Sequence, residues 1–343
     1  MAGNKIAILG AGSWATALVK ILSNNDLAIN WWVRKGENIE YIKKYKHNPT
    51  YLTEIEIDLA KVTMYTGLKE TVATADRLIM AVPSAFMSDA FSSLKKDDLK
   101  NKTIFSAVKG TLPDKKMMVS GYLNEQFDVP LSSIGIIAGP CHAEEVAMEK
   151  LSYLTVGCPS TTEAEWMAEM LTCRYIKAGT SPDMQGIEYS AALKNIFAIA
   201  SGICHGLGYG DNFQAVLVAN AIQEIKRFID KVCPHERDTN ASAYLGDLLV
   251  TAYSQFSRNR TLGSMVGKGY SVKYAQLEMN MVAEGFYAVK TIYTINQEHK
   301  VDMPPLQSRC ISFFLKLSFR CKLRDFNWFS DLVNSNKYIR CIV

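Results

Sequence analysis

The segment Gly-Ala-Gly-Ser-Trp-Ala at residues 10–15 lies between a predicted strand at residues 5–9 and a predicted helix. Gly10 permits a tight turn, and Gly12 lets the main chain approach a pyrophosphate at the N-terminus of the helix. Ala15 is small enough for the helix to pack closely against the strand. In this strand-to-helix context the pattern predicts a Rossmann-like domain that binds a dinucleotide, and the alternative is an ordinary glycine turn.

Strands and helices alternate around this segment through the first half of the chain, as they do in doubly wound parallel sheets. The β-branched runs predict strands at residues 5–9, 28–33, 77–81, 103–106, 134–138, 153–157 and 175–178. We expect no strand after Ala178, because residues 186–207 and 212–232 are long, proline-free stretches with helical periodicity. The run at residues 179–184 contains Pro182, is loop-like, and marks a domain boundary.

The length of 343 residues is enough for about two domains. We therefore predict a dinucleotide-binding domain at residues 1–182, an all-helical domain at residues 183–304 and an atypical tail at residues 305–343.

Composition and charge exclude several classes of protein. Hydrophobic residues make up 48% of the chain and charged residues 21%, which is typical of a globular protein. The net charge of +4 is not clustered, so we expect no nucleic-acid partner, whereas a small anionic substrate fits. No apolar run reaches the length of a membrane span, and the start leads directly into a strand, so we expect a cytoplasmic protein. None of the eight cysteines forms a C-x-x-C pair, so neither a disulfide framework nor a metal site is expected.

The end of the second predicted strand bears on the choice of cofactor. An NAD-binding domain usually has an acidic residue there for the ribose 2′-hydroxyl, but this strand continues into Arg34 and Lys35, and the first acid is Glu37. A guanidinium can hold a 2′-phosphate with two hydrogen bonds. Arg34 therefore favours NADP(H) as the cofactor, and NAD(H) stays an alternative. A simpler explanation for Arg34 and Lys35 is that both are solvated loop charges.

Other polar residues follow predicted strands, at the sheet edge where open α/β folds bind ligands. Lys109 is placed to reach an oxygen of a substrate or cofactor, although it is equally typical of a surface lysine. Cys141 precedes His142, and Cys204 precedes His205, but adjacent residues rarely form a nucleophile–base pair. We therefore do not expect covalent cysteine catalysis.

Lys194 lies in the middle of a predicted helix that is almost free of charge, and its neighbours at helical spacing are small. Burial of its ammonium would lower its pKa, which suits a proton donor and acceptor near neutral pH. Asp247 is the corresponding acidic residue in an apolar stretch and is the candidate partner. The alternative for Lys194 is a lysine whose head group reaches solvent from an apolar helix.

The segment Ser257-Arg258-Asn259-Arg260 concentrates hydrogen-bond donors in four residues. Such a density of donors fits a phosphate or carboxylate group, whereas a solvated loop is the alternative.

Taken in order, these residues resemble the NAD(P)-dependent glycerol-3-phosphate dehydrogenases of the bacterial type. The resemblance lies in the segments GAGSWATAL at 10–18, AVPS at 81–84, VKG at 108–110, GPCHAEEVA at 139–147, GIEYSAALKNIFAIASGICHGLGYGDN at 186–212, GDL at 246–248, SRNR at 257–260 and VAEG at 282–285. It implies a Rossmann-like domain followed by a helical domain of the 6-phosphogluconate-dehydrogenase-like kind. The implied reaction is the reduction of dihydroxyacetone phosphate to sn-glycerol 3-phosphate for phospholipid synthesis in the cytoplasm.

The resemblance also assigns roles to individual residues. It implies that Lys194 is the catalytic acid and base, and that Asn195 holds the lysine or the substrate. The implied substrate-binding residues are Lys109, Gly139, Cys141, Asp247, Ser257, Arg258 and Asn259. The implied cofactor-binding residues are Gly10, Gly12, Ser13, Trp14, Arg34, Lys109, Ala143, Arg258, Val282 and Glu284. A homodimer is left open.

This chain departs from the family in three places. Cys141 stands where many members have serine, and Asn220 replaces a frequent arginine. The resemblance stops abruptly after Pro304, and residues 305–343 contain no glutamate and three of the eight cysteines. We therefore expect that this tail does not form the family's closing helices.

Two other functions stay open at this point. One is a related two-domain dehydrogenase that acts on hydroxyacids or ketopantoate. The other is a catalytically impaired NADP-binding protein, in which the altered tail weakens the helical domain.

Overall fold

The computed structural model describes residues 5–279 and 282–303. Its strands are β1 Lys5–Leu9, β2 Ala28–Trp32, β3 Val62–Tyr65, β4 Arg77–Met80, β5 Thr103–Ser106, β6 Thr111–Leu112, β7 Met117–Met118, β8 Ile134–Ala138, β9 Ser152–Gly157 and β10 Ile176–Ser181. Its α-helices are α1 Ser13–Leu22, α2 Gly36–Tyr45, α3 Leu68–Ala73, α4 Met87–Phe91, α5 Lys96–Leu99, α6 Val119–Phe127, α7 Ala143–Ala147, α8 Thr161–Leu171, α9 Met184–Gly206, α10 Asp211–Val232, α11 Asp247–Tyr253, α12 Arg258–Gly267, α13 Val272–Glu278 and α14 Glu284–His299. Short 3₁₀ turns occupy Ser84–Phe86 and Leu131–Ser133, and a π-helical turn, Ser242–Gly246, leads into α11.

Eight strands form one sheet in the order β10-β9-β8-β5-β4-β1-β2-β3, and helices cover both faces. Six neighbouring strands of this sheet, β8, β5, β4, β1, β2 and β3, are parallel to one another, which confirms the prediction of a doubly wound sheet. One strand departs from the predicted parallel arrangement, since β9 runs antiparallel to β8. A strand buried on both faces has the same apolar pattern in either direction, so the sequence did not reveal the reversal.

The sheet also differs from the sequence prediction at its ends. Strand β10 continues to Ser181, three residues beyond its predicted end at Ala178, so half of the expected loop at residues 179–184 is strand. No further strand follows in the described residues. Gly179 and Thr180 pair with β9, and the strand stops just before Pro182, which cannot donate to a ladder. The short edge strand β3 and the hairpin β6–β7 were not predicted.

The helical half is organised around α9, which is buried along nearly all of its 23 residues and packs against α10, α11, α12 and α14. At its crossing with α12 the main chains touch, because a Cβ atom at Gly202 or Gly206 would collide with the α12 backbone. The glycines Gly263 and Gly267 of α12 are equally constrained by the backbone of α9. This glycine crossing places the N-terminus of α12 beside the middle of α9, where Lys194 lies.

The expected tail at residues 305–343 lies outside the described residues, together with three of the eight cysteines. Five cysteines lie in the described residues, and none of them forms a disulfide there: Cys141, Cys158, Cys173, Cys204 and Cys233. Within the described part of the chain, no helix is long and apolar enough to span a membrane.

Candidate active site

A cleft of about 460 Å³ lies between the carboxyl ends of the parallel strands and the helical half. It is lined by the following predicted site residues: Gly12, Ser13, Trp14, Lys109, Cys141, Ala143, Lys194, Asn195, Asp247, Ser257, Arg258, Asn259, Val282 and Glu284. Gly10, Arg34 and Gly139 are predicted site residues that do not line it. The position of the cleft agrees with the rule that open α/β sheets bind ligands beyond the carboxyl ends of their strands.

The turn after β1 leaves room for a dinucleotide. Gly10 has a φ of +130°, and a Cβ atom there would lie 2.8 Å from the carbonyl oxygen of Ala81, so this position requires glycine. No atom lies within 4 Å of where a Cβ of Gly12 would be, and Gly12 begins α1 without a side-chain cap. The open N-terminus of α1 therefore fits a pyrophosphate.

The centre of the cleft holds an ion pair between the Lys194 ammonium of α9 and the Asp247 carboxylate of α11. Both side chains are buried, with exposed fractions of 3% and 1%. Asp247 Oδ2 also accepts the main-chain N–H of Gly139 at 3.3 Å, so Gly139 lies behind the carboxylate rather than in the cleft. Burial lowers the pKa of Lys194 to about 8, although the neighbouring Asp247 opposes the shift.

Two asparagines join the helical half to the strand end that carries Lys109. Asn195 donates from Nδ2 to the carbonyl of Lys109 at 2.5 Å and accepts at Oδ1 from Asn259 Nδ2 at 2.9 Å. Asn259 Oδ1 in turn accepts the main-chain N–H of Gly285 at 2.9 Å. Asn195 therefore holds the Lys109 segment and Asn259 rather than the Lys194 ammonium.

Cations and a buried acid flank the ion pair. The Lys109 ammonium lies 5.1 Å from the ring centroid of Trp14. Arg258 donates from Nη1 to the carbonyl of Val282 at 3.3 Å and lines the cleft. Glu284 accepts the main-chain N–H of Ser84 at 3.0 Å, and burial raises the pKa of its carboxyl.

Ser257 is the N-cap of α12, because its hydroxyl accepts the main-chain N–H of Arg260 at 3.3 Å. Its neighbours Arg258 and Asn259 occupy the first turn of that helix, and all three residues line the cleft. The N-terminal end of α12 therefore adds its helix dipole to the positive charge of Arg258.

Cys141 and His142 lie side by side in the lining of the cleft. Burial raises the pKa of the Cys141 thiol to about 11, so the thiolate is scarce at neutral pH. Burial, together with the cations Lys109 and Lys194, lowers the pKa of His142 to about 4, which keeps the ring neutral. Cys204 lies in a separate small core cluster and does not line the cleft.

Several cleft residues were not identified from the sequence as site residues, namely Tyr51, Phe86, His142, Phe256, Gln276 and Tyr287. His142 belongs to a segment that the resemblance quoted, but the aromatic residues carry no local signal because distant parts of the chain bring them together.

Arg34 is exposed at the end of β2, one residue from an ion pair between Lys35 and Glu37 at 3.3 Å. The preference for NADP(H) thus stays a prediction.

Two family models match the chain, and they cover its two halves. The N-terminal model of NAD-dependent glycerol-3-phosphate dehydrogenase matches residues 5–164, and the C-terminal model of the same family matches residues 183–310. The chain belongs to this family. The second match continues past Pro304, where the sequence resemblance was expected to stop, and ends at residue 310.

Curated relatives agree with the family models. Glycerol-3-phosphate dehydrogenase [NAD(P)+] from Bacillus licheniformis is 35% identical over 303 residues, which are 88% of this chain and 87% of the relative. The protein of the same name from Oceanobacillus iheyensis is 33% identical over 301 residues, with the same coverage of both chains. The chain is therefore an oxidoreductase that uses a nicotinamide cofactor.

Solved structures show the same fold. Glycerol-3-phosphate dehydrogenase from Coxiella burnetii matches with a TM-score of 0.84 and 24% identity, over 97% of this chain and 98% of that one. A 2-dehydropantoate 2-reductase from Porphyromonas gingivalis matches with a TM-score of 0.54 and 13% identity, over 92% and 100% of the two chains. The two-domain plan is thus shared more widely than the family.

Proposed function

We propose that this chain reduces dihydroxyacetone phosphate to sn-glycerol 3-phosphate, reversibly and for glycerophospholipid synthesis, with Lys194 as general acid and base. The observation that carries this proposal is the buried ion pair of Lys194 with Asp247 at the centre of the cleft. A lysine whose pKa burial lowers to about 8 is present in both protonation states near neutral pH.

The cofactor would lie along the glycine turn, held by the open N-terminus of α1, with Trp14 and Glu284 beside it. Among the described residues, Trp14 Nε1 and Glu284 Oε2 are buried without a hydrogen-bond partner, which is unusual for buried polar atoms and fits a site that contacts a ligand. A bound reduced nicotinamide supplies the hydride that the ketone carbon needs.

Lys194 supplies the proton that accompanies this hydride. Its ammonium donates a proton to the ketone oxygen as negative charge develops there, and its neutral amine accepts the hydroxyl proton in the reverse direction. Asp247 holds the ammonium in place, and the main-chain N–H of Gly139 holds the carboxylate. Reduction and oxidation therefore use the same proton-carrying group, the amine of Lys194, which has little contact with solvent.

The substrate phosphate fits between Lys109 and the N-terminal turn of α12. Arg258 there offers a guanidinium, and Ser257 and Asn259 complete the donor-rich turn. Charge-assisted hydrogen bonds of this kind are the strong ones in proteins, so the phosphate is the main anchor of the substrate.

The pH dependence tests the role of Lys194. Because the protonated form drives reduction, we expect its kcat to fall as the pH rises through about 8, whereas oxidation of glycerol 3-phosphate should rise over the same interval. Asp247→Asn removes the anion that raises the pKa of Lys194, so the midpoint should move to lower pH. Rates are measured in both directions from pH 6 to pH 10. A reduction rate that stays flat across this range contradicts the assignment.

The cofactor preference is tested at Arg34. Arg34→Asp should shift the preference from NADPH toward NADH, because the new carboxylate repels a 2′-phosphate and accepts from a 2′-hydroxyl. The measurement is the ratio of kcat/KM for the two cofactors, with Lys35→Asp as the matched control on the next residue. An unchanged ratio in Arg34→Asp would mean that Arg34 is only a surface charge.

The discriminating experiment for the whole proposal is oxidation of NADPH and NADH with a panel of ketones. Turnover of dihydroxyacetone phosphate without turnover of ketopantoate or simple 2-ketoacids supports it. The reverse pattern favours the related hydroxyacid or ketopantoate dehydrogenases, and cofactor binding without any turnover favours the impaired protein.

A further inference from the structure

A buried polar network lies at the start of α9 and does not line the cleft. Its centre is Asp183, which contacts Arg237 and Tyr244. The side chains of Arg237 and Asp183 are 2% and 6% exposed, and Tyr244 is 4% exposed. Such burial of charge is costly unless it is compensated, so the geometry of this network is tightly specified.

Asp183 begins the helix that carries Lys194. Its Oδ1 accepts the main-chain N–H of Gly186 at 3.0 Å, which makes Asp183 the N-cap of α9. Lys194 follows about three turns later on the same helix. The position of Asp183 therefore fixes the start of the element from which Lys194 projects.

Arg237 fixes Asp183 in turn. It donates from Nε to Asp183 Oδ2 at 2.5 Å and from Nη2 to Oδ1 at 3.2 Å. The same guanidinium donates to Asp230 Oδ1 at 2.8 Å and to the carbonyl of Cys233 at 2.6 Å, at the C-terminal end of α10. Arg237 thus connects the end of α10 to the start of α9. Its guanidinium forms two hydrogen bonds to one carboxylate, which a lysine cannot do.

Tyr244 connects this point to Asp247. Its hydroxyl donates to Asp183 Oδ2 at 2.5 Å. Tyr244 belongs to the π-helical turn Ser242–Gly246, which leads directly into α11 and its first residue, Asp247. Short π-helical turns often occur at functional sites, where they set the direction of a side chain.

We propose that Tyr244 and Arg237 are positioning residues that hold the Lys194 helix and the Asp247 turn in register through their shared contact with Asp183. This inference rests on the proposed function, since it concerns the geometry of the same proton donor. The attraction between two charges is stronger at this degree of burial than in water, so a larger separation between them costs more. A loosened turn would weaken the contact of Asp247 with Lys194 without changing any residue that touches the substrate.

The network does not itself titrate near neutral pH. Although burial acts to raise it, hydrogen bonds from Arg237 and Tyr244 hold the pKa of Asp183 below its ordinary value. Burial, with the Asp183 carboxylate beside it, raises the pKa of Tyr244. The charged and titratable groups that act on Lys194 are Asp247, Lys109 and Cys141. Lys109, Lys194 and Asp247 act on His142, and Glu145 acts on Cys141. A shift in the midpoint of the pH profile therefore reports on the Lys194 environment.

The test is Tyr244→Phe, which removes one hydroxyl and keeps the ring. We expect kcat for reduction to fall about 10- to 100-fold, since small misplacements of a catalytic group cost this much. KM and cofactor affinity should stay within about twofold, and the pH midpoint should move to lower pH because Asp247 raises the pKa of Lys194 less effectively. Tyr175→Phe is the matched control, since Tyr175 is also buried and its hydroxyl accepts from Asn24 at 2.9 Å, away from the cleft.

Arg237→Gln is a second variant, and it should change kcat and the midpoint in the same direction. If Tyr244→Phe lowers only the melting temperature, with kcat and midpoint as in the wild type, the network is merely structural and the proposal is wrong. An equal change in Tyr175→Phe overturns it as well.

Turnover of the wild type, measured first, decides the proposed function separately. The pH dependence of Lys194 acetylation by acetic anhydride, followed by mass spectrometry, gives the midpoint without any substrate. If Tyr244→Phe and the wild type have the same midpoint in this assay, the positioning role is wrong. This result does not depend on which substrate the enzyme uses.

Discussion

Lys194→Ala is expected to lower kcat for dihydroxyacetone phosphate reduction by about 10²–10⁴, the usual contribution of a general acid. The variant should still bind the nicotinamide cofactor, because the glycine turn that would hold it belongs to the sheet and not to α9. The measurements are steady-state kinetics and cofactor binding by fluorescence titration. Activity within a few-fold of the wild type would remove Lys194 from the mechanism.

The same substitution leaves Asp247 as a buried charge without its cation, which typically costs about 3–5 kcal/mol of folding free energy. A double variant, Lys194→Gln with Asp247→Asn, removes both charges while keeping polar groups that can bond to each other. The double variant should be inactive, and its thermal stability should be closer to that of the wild type than the stability of Lys194→Ala is. Lys177→Ala, at an exposed lysine of β10, serves as the control and should change neither property.

Arg258→Ala is expected to raise KM for dihydroxyacetone phosphate by about 10- to 100-fold, with a smaller loss of kcat. A hydrogen bond to a charged group contributes about 1.5–3 kcal/mol, and a phosphate dianion is the strongest acceptor that this cleft would meet. Arg260→Ala is a close control, since Arg260 lies in the same four-residue segment but does not line the cleft.

The comparison of the two arginine variants locates the phosphate. A large increase in KM for Arg258→Ala alone places it at the first turn of α12. Equal increases for both variants would indicate a diffuse electrostatic effect, and an unchanged KM in Arg258→Ala would mean that another group anchors the substrate.

The ion pair at the centre of the cleft could be predicted because both of its members break an apolar helical pattern. A buried charge needs a partner of opposite sign, so Lys194 pointed to Asp247 although 53 positions separate their numbers. The cap at Ser257 had a local signal too, since serine before a helix commonly caps it.

Other features depend on contacts that no local pattern encodes. The direction of β9 is one, because the pattern of apolar residues along a strand is the same whichever way the strand runs relative to its neighbour. Another is the role of Asp183, which lies in a segment expected to be a loop and gains its meaning only from Arg237 and Tyr244. The exposed position of Arg34 is a third, because a strand end fixes where a residue lies but not where its side chain points.

The glycine crossing of α9 and α12 has a consequence for motion. Where two helices meet backbone to backbone, no layer of side chains lies between them that could repack or slide. We therefore expect these two helices to move together as one rigid unit if the cleft changes shape around its ligands. Lys194 and Arg258 then keep a constant separation during such a movement. This constant distance between the proton donor and the phosphate-binding arginine would select substrates by the distance between their ketone oxygen and their phosphate.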